Sequence, residues 1–332
     1  MPKLTVLMPV YNAELFVKDA MASILKQTVT DFEFLIIDDG CTDSTFEIIN
    51  SFKDNRIRIL SNRKNLGLIR SLNIGIEEAK GEYISRMDAD DIAHPKRLEY
   101  IAKCFDENPD IMVCSTWFNT TLEDKPLQSR KYNSDEIKTL FFFDCAISAA
   151  SYRRSFFQSK NIRYSEEFPH AEDYELWTRL LFYGKFAIIP KCLLKITWHE
   201  NQVSRKFQLI QQSSMEKALI ILLSKIGINP TSEEIRTHFQ IAHDLFPNNT
   251  EFIEKAEAWL QKLTYHNSVS QTIPADSFRK IVSKEWFGIL THLSSKKVYT
   301  LPYFKKSSLS DKKNIPMILL LKYYYKNLGL KS

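Results

Sequence analysis

Several things are scarce in this 332-residue chain. No apolar run approaches the roughly 18 residues needed to span a bilayer. The most apolar stretches, Phe141–Phe143 and Met317–Leu321, are short and suit core segments. Met1-Pro2-Lys3-Leu4 runs straight into a strand-like segment, without a basic region followed by an apolar signal core, so a cytoplasmic protein is expected. There are only eight glycines, and no GxGxxG follows any strand-like run, which excludes an NAD-dependent dehydrogenase. Cys41, Cys104, Cys114, Cys145 and Cys192 are odd in number, scattered and without a CxxC pair. They are expected to be buried or idle thiols in a reducing compartment.

The composition is that of an ordinary globular protein, 44% hydrophobic and 26% charged. The net charge of +5 is unevenly placed: residues 296–332 hold nine lysines and one acidic residue, Asp311, while the rest of the chain is slightly acidic. A basic tail on a near-neutral body points to an anionic partner. The tail also carries Tyr299, Tyr303, Phe304 and Tyr323-Tyr324-Tyr325, and rings beside lysines suit the headgroup region of an anionic membrane. On a helix, Ile318, Leu321, Tyr325 and Leu328 share one face, with Lys322 and Lys326 beside it. The competing expectation is that the tail packs on the helices before it and completes the fold. No nucleic-acid-binding motif accompanies the charge, so no nucleic-acid partner is expected.

The first two hundred residues alternate between short β-branched runs and longer amphipathic ones. Strands are expected at Leu4–Pro9, Glu33–Asp38, Ile57–Leu60, Glu82–Met87 and Ile111–Ser115, and helices at Ala13–Gln27, Thr42–Phe52, Leu68–Ala79 and Pro95–Asn108. In the first helix the apolar stripe is read as Leu15, Ala20, Ile24 and Leu25. The alternation predicts an α/β fold, a doubly wound, mostly parallel sheet flanked by helices. After residue 207 the pattern is helical only, with candidates at Phe207–Ile226, Ser232–Phe246, Thr250–Tyr265 and Asp276–Leu293. The expected division is therefore an α/β domain over 1–206, a helical appendage over 207–295 and the basic aromatic tail over 296–332.

Polar clusters follow three apolar strands, where open α/β sheets bind ligands. They are Pro9-Val10-Tyr11-Asn12, Asp38-Asp39-Gly40 and Asp88-Ala89-Asp90-Asp91. Carboxylates gathered at one sheet edge repel each other in a partly dry cleft, and a cation relieves that cost. Hard oxygen ligands favour Mg²⁺ or Mn²⁺, and such sites commonly borrow phosphate oxygens from the substrate.

The string PVYN, then DDGCTDST, then NRKNLGLIRSLNIGIEEAKGEYISRMDADDIAHP, resembles the donor-binding half of inverting family 2 glycosyltransferases of the GT-A fold. A DxD motif alone is weak; the whole series in this order is specific. The resemblance covers roughly residues 3–206, and through RIRIL, GLI, SLNIG, GEYI, the DADDIA stretch, AEDYELW and NQVS the chain most resembles bacterial lipo-oligosaccharide β1,3-N-acetylglucosaminyltransferases. Where the family usually has DDGSTD this chain has Cys41, read as a small variation beside the site and not as a thiol nucleophile.

The resemblance implies roles. Pro9, Val10 and Tyr11, with Asn12 adjoining, form the platform for uracil, and Tyr11 stacks on it. Asp39 accepts the base N–H while Asp38 and Arg70 shape the pocket. Asp88, beside Ala89, faces the ribose or a metal-bound water, and Asp90 binds the metal. His199 completes the metal site, with Mn²⁺ suiting an imidazole better than Mg²⁺. Arg205 and Lys206 stand ready to close over the diphosphate. In the xED motif of Ala171–Trp177, Asp173 is the expected base and Glu172 its support. A carboxylate near a helix N-terminus stays ionised at neutral pH, as a base must.

The implied reaction is transfer from a UDP-sugar to a hydroxyl of a saccharide acceptor, by one inverting displacement. UDP-GlcNAc is the donor implied by the closest resemblance, and UDP-GalNAc, UDP-galactose and UDP-glucose stay open. The acceptor implied is a lipo-oligosaccharide or other surface glycan, lipid-linked and reached from the inner face of the membrane. A sugar nucleotidyltransferase shares sheet and metal chemistry but needs a glycine-rich loop that PVYNAE lacks. An inactive glycan-binding or scaffolding subunit is the alternative of another class, and the full set of carboxylates argues against it.

Overall fold

Strand β1 (Leu4–Val10) and strand β2 (Phe32–Asp38) are buried along their whole length, as parallel strands covered on both faces must be. They are interior strands of an eight-stranded sheet in a computed structural model that describes residues 1–119, 131–143, 147, 149–199 and 206–327. The other strands are β3 (Ile57–Ser61), β4 (Tyr83–Arg86), β5 (Ile92–Ala93), β6 (Ile111–Asn119), β7 (Ser151–Arg153) and β8 (Lys185–Lys195), and the order is β3-β2-β1-β4-β7-β6-β8-β5. β1 to β4 are mutually parallel, and β6 pairs parallel with β8. β7 runs antiparallel between β4 and β6, and β5 antiparallel to β8. The expectation of a doubly wound, mostly parallel sheet holds, with two antiparallel insertions that three-residue and two-residue runs are too short to announce.

Register matters for the site. Val10 lies opposite Asp38, and Asp38 opposite Ser61. The three strands therefore end level, and their following loops share one sheet edge. Arg86 ends β4 opposite Leu7, so residues 87–91 leave beside the end of β1 and carry the chain from mid-sheet to β5 at its border.

Helices α1 (Val17–Leu25), α2 (Thr45–Ser51), α3 (Leu68–Glu78) and α4 (Arg97–Glu107) connect these strands, followed by α5 (Ser134–Leu140), α6 (Arg154–Ser159) and α7 (Glu172–Leu180). α3 packs on β1 and β2, and α4 on β6 and β8. α1 begins at Val17, later than its apolar pattern suggests: Leu15 is 77% exposed and Val17 fills the place in the stripe instead. α7 packs through Trp177, whose ring lies 6.1 Å from that of Tyr152 on β7; Tyr174, Leu176 and Leu180 are also buried.

The chain falls into two compact units, Met1–Ser134 with Ile147–Met215, and Asp135–Ala146 with Glu216–Ser332. This differs from the expected division in two respects. The short segment 135–146 belongs to the second unit, where Phe142 meets Phe278 edge-on at 5.7 Å and Phe143 stacks on His238 at 5.6 Å. Its apolar run is core for helices far ahead in the chain, which no local pattern reveals. The tail is likewise part of that unit and not a separate piece.

The second unit is helical: α8 (Gln208–Lys225) enters it, and α9 (Ser232–Ala242), α10 (Thr250–Ser270), α11 (Ala275–Ser295), α12 (Leu301–Lys306) and α13 (Met317–Asn327) follow. Thr231 and Glu234 make a reciprocal capping box at α9, and Asn249 caps α10. Among the described residues no helix is long and apolar enough to cross a membrane.

Candidate active site

The end of β1 supplies a turn with one open aromatic face. Pro9 and Val10 are buried, while Tyr11 is 47% exposed, so its ring is free to stack. Asn12 takes left-handed backbone (φ 48°) and, though exposed, turns its side chain to the loop after β2. Its amide oxygen accepts from Thr42 N at 2.9 Å and its Nδ2 donates to Thr42 Oγ1 at 3.2 Å. Asn12 thus clips the loop after β1 to the loop after β2. Cys41 Sγ lies in the same clip, accepting from Asn12 N at 3.4 Å. Burial pushes its thiol up to about 12, so it stays protonated and is no nucleophile.

Asp38 and Asp39 are both buried. Asp38 accepts from Cys41 N at 3.0 Å and closes the turn after β2. Asp39 is the keystone of the loop before α3: Oδ1 accepts from Asn62 Nδ2 at 2.8 Å and Leu66 N at 2.9 Å, and Oδ2 from Gly67 N at 2.8 Å. Gly67 has φ 91°, a backbone region that only glycine adopts freely. A carboxylate offers about four lone-pair sites, so Oδ2 still has room for one more donor. Arg70, in the first turn of α3, is exposed and ion-paired with Glu166 at 2.9 Å.

The turn after β4 gathers acidic side chains around two bases. Arg86, buried, donates from Nε to Asp88 Oδ1 at 2.9 Å and from Nη1 to Glu172 Oε1 at 3.3 Å. Burial opposes its charge, but the Asp88 and Glu172 carboxylates outweigh that and hold its pKa well above the ordinary value. Asp90 Oδ2 lies 2.9 Å from His199 Nε2, and Phe16 stacks on that imidazole at 4.4 Å. Burial and then the neighbouring Asp88 charge raise the Asp90 pKa. Asp91 is more deeply placed; burial, Asp88 and Asp90 together push it up to about 8. Ala89 is partly exposed between them. Among the described residues no three His, Cys, Asp or Glu side chains converge closely enough to hold a metal by themselves. Asp90 and His199 do converge, and His199 Nδ1 is buried without a partner among those residues.

α7 opens with the acidic pair. Glu172 is buried against Arg86, while Asp173 is half-buried and accepts from Tyr174 N at 2.7 Å. Burial, followed by the Glu172 charge, pushes Asp173 up to about 6; Arg86 pulls the other way and does not win. The expected ionised carboxylate is therefore held closer to neutrality than a helix N-terminus alone would leave it. It remains mainly ionised at pH 7 and is better matched to proton transfer there. Residues 200–205, including Arg205, lie outside the described residues.

The profile of the family described as Glycosyl transferase family 2 matches residues 5–161. An uncharacterized glycosyltransferase of Haemophilus influenzae is 30% identical over 247 residues, which cover 69% of this chain and 76% of that one. The chain belongs to glycosyl transferase family 2. Among solved structures, residues 1–349 of Staphylococcus aureus TarS in complex with UDP-GlcNAc superpose with a TM-score of 0.59 at 18% identity, over 90% of this chain and 92% of that one. The mannosyltransferase PcManGT from Pyrobaculum calidifontis, in complex with GDP-Man and Mn²⁺, gives 0.52 at 15% identity, over 98% and 87%. The fold is GT-A, with a helical C-terminal region.

In this glycosyltransferase, three residues near the candidate site escape a reading of strand-end motifs. Arg86 precedes Asp88 by two positions, and its only signal is a cation at the end of a buried strand. Arg97, fully buried, donates to the Ala149 carbonyl at 2.6 Å and the Arg86 carbonyl at 3.2 Å, and burial lowers its pKa to about 10. Phe16 sits in a loop where a phenylalanine reads as ordinary core; only the structure sets it on His199.

Proposed function

We propose that the glycosyltransferase moves a sugar from a nucleoside-diphosphate donor to a saccharide hydroxyl by one displacement that inverts the anomeric centre. The observation that carries this reading is the guanidinium of Arg86. It ties Asp88, on the turn that follows β4, to Glu172, at the start of α7. The donor-side acidic turn and the helix bearing Asp173 are thereby held as one site.

In this reading Tyr11 stacks on the base, Asp39 takes the base N–H with its remaining lone pair, and Arg70 exchanges Glu166 for the donor. Asp88 faces the ribose. Asp90 and His199 hold a divalent cation, Mn²⁺ or Mg²⁺, together with donor phosphate oxygens. The donor set fits: a partly buried carboxylate whose pKa is raised beside another carboxylate is relieved by a cation, and mixed oxygen and imidazole ligands suit Mn²⁺. When bound, the cation neutralises charge on the departing diphosphate. Asp173 accepts the proton of the attacking hydroxyl, and Arg86 fixes Glu172 beside it. The donor is UDP-GlcNAc and the acceptor a lipid-linked surface glycan such as a lipo-oligosaccharide. The nucleotide sugar in the TarS complex supports the choice of donor.

A thermal-shift panel of UDP-GlcNAc, UDP-GalNAc, UDP-galactose, UDP-glucose and GDP-mannose, each with Mn²⁺, tests the assignment. Ligand at 100 times its Kd raises stability by about 2.7 kcal/mol. UDP-GlcNAc should give the largest shift; a larger one from another sugar nucleotide replaces the donor. No shift from any of them overturns the reading in favour of a glycan-binding subunit.

A further inference from the structure

The helix α13 has two unlike faces. Its inner face is locked into the helical unit. Tyr323 is 2% exposed, its ring packs 5.3 Å from Phe287 and 5.2 Å from Phe304, and its hydroxyl shares a hydrogen bond with Thr300 Oγ1 at 2.8 Å. One turn on, Asn327 Nδ2 donates to Ser294 Oγ at 3.0 Å. The tail does pack on the fold, and that packing fixes what the other face presents. At 100° per residue, Met317, Ile318, Leu321 and Tyr325 fall together opposite Tyr323. They are 76%, 65%, 46% and 46% exposed. Leu328, expected on the same face, lies outside the described residues.

A soluble surface normally scatters exposed apolar residues singly; here four share one face of an eleven-residue helix. Lys322 is exposed on its flank, Lys312 and Lys313 are exposed in the turn that leads into it, and Lys305 and Lys306 are exposed at the end of α12. The acidic residue of this region, Asp311, is turned inward to Lys313 N and Asn314 Nδ2.

We propose that α13 docks this protein on an anionic lipid surface, lying in the headgroup plane. Apolar side chains enter the acyl boundary and lysines stay on lipid phosphate, the arrangement of an interfacial amphipathic helix. Charge complementarity selects this occupant. Two copies joined through the face would set lysines against lysines, whereas a phosphate-bearing surface neutralises them. The proposal is independent of donor and base assignments, since a protein that fails every transfer assay still passes or fails this test.

The test is co-sedimentation of the full chain with phosphatidylcholine vesicles, with and without phosphatidylglycerol, at low and high salt. The wild type should pellet only with phosphatidylglycerol, and less at high salt. Lys312→Gln with Lys313→Gln should lower partitioning by about 25-fold, at about fivefold per lysine. Ile318→Glu with Leu321→Glu should lower it by about 100-fold or more, from the lost apolar burial. Leu321→Trp should shift its emission to the blue on phosphatidylglycerol vesicles alone. The proposal is overturned if the wild type stays in solution, or if the double glutamate variant pellets like wild type. It is also overturned if light scattering finds a dimer that those glutamates dissolve while no form binds vesicles. Should circular dichroism show that the glutamate variant misfolds, the tryptophan decides, and an unshifted emission overturns the proposal.

Discussion

Asp173→Asn should yield a more stable and nearly inactive protein, and the size of both effects follows from the environment of that carboxylate. Burial and the Glu172 charge move its pKa from 3.8 to about 6. A raised carboxylate pKa means that the native state holds a proton which the unfolded chain releases. Stability therefore falls as pH rises through the window from 3.8 to about 6, and the full cost is present above it. The displacement corresponds to an upper bound of about 3 kcal/mol at neutral pH. Partial solvent access trims this to about 1–2 kcal/mol. Asparagine keeps the size and removes the charge, so the variant should gain that amount at pH 7.5 and markedly less at pH 5. Urea denaturation at both values, followed by circular dichroism, measures it. Turnover should drop by about 10²–10⁴-fold while donor binding persists. In the wild type, kcat/KM should fall on the acid side with a midpoint near 6, and that limb should vanish in the variant's residual activity. A variant no more stable than wild type, or a gain that does not change between the two pH values, refutes the electrostatic reasoning. Retained turnover refutes the base assignment, and a dead Glu172→Gln beside it would move the base one residue back.

A chelator should abolish transfer and Mn²⁺ restore it, and His199→Ala should weaken the Mn²⁺ requirement's apparent affinity by about 10–100-fold, read from activity against metal concentration. Gly81→Ala is expected to destabilise by about 3 kcal/mol or more, since its Cβ would stand 2.3 Å from Thr5 N and 2.4 Å from Leu4 C, backbone atoms of the buried strand β1; the denaturation midpoint reads this directly.

Much of the catalytic unit was legible from the chain. β-branched runs, helical stripes and their breaks place β1 to β4 and α1 to α4 to within a few residues, because periodicity and turn chemistry are local properties. The level ends of β1 and β2 bring Tyr11 and Asp39 to one edge, as the strand-end rule requires. Where the reading slipped, a local pattern misled. Leu15 continues an apolar stripe but precedes the helix and stays exposed.

By itself the sequence determined which residues could do chemistry: carboxylates after strands, an acidic pair opening a helix, a histidine, a basic tail with rings. The tertiary structure decided what each of them meets. Arg86 and Glu172 are 86 positions apart, and Asp90 and His199 are 109; no local pattern encodes such pairs, which exist only once β4, α7 and the chain after β8 are packed. Burial is likewise a property of the assembled core, so the rise of Asp173 to about 6 could not be read from a residue beside a helix start. The same holds for the tail, where Tyr323 and Tyr325 are the same residue type two positions apart. One closes the core and the other faces outward, because only packing against Phe287 and Phe304 distinguishes the two faces of the helix.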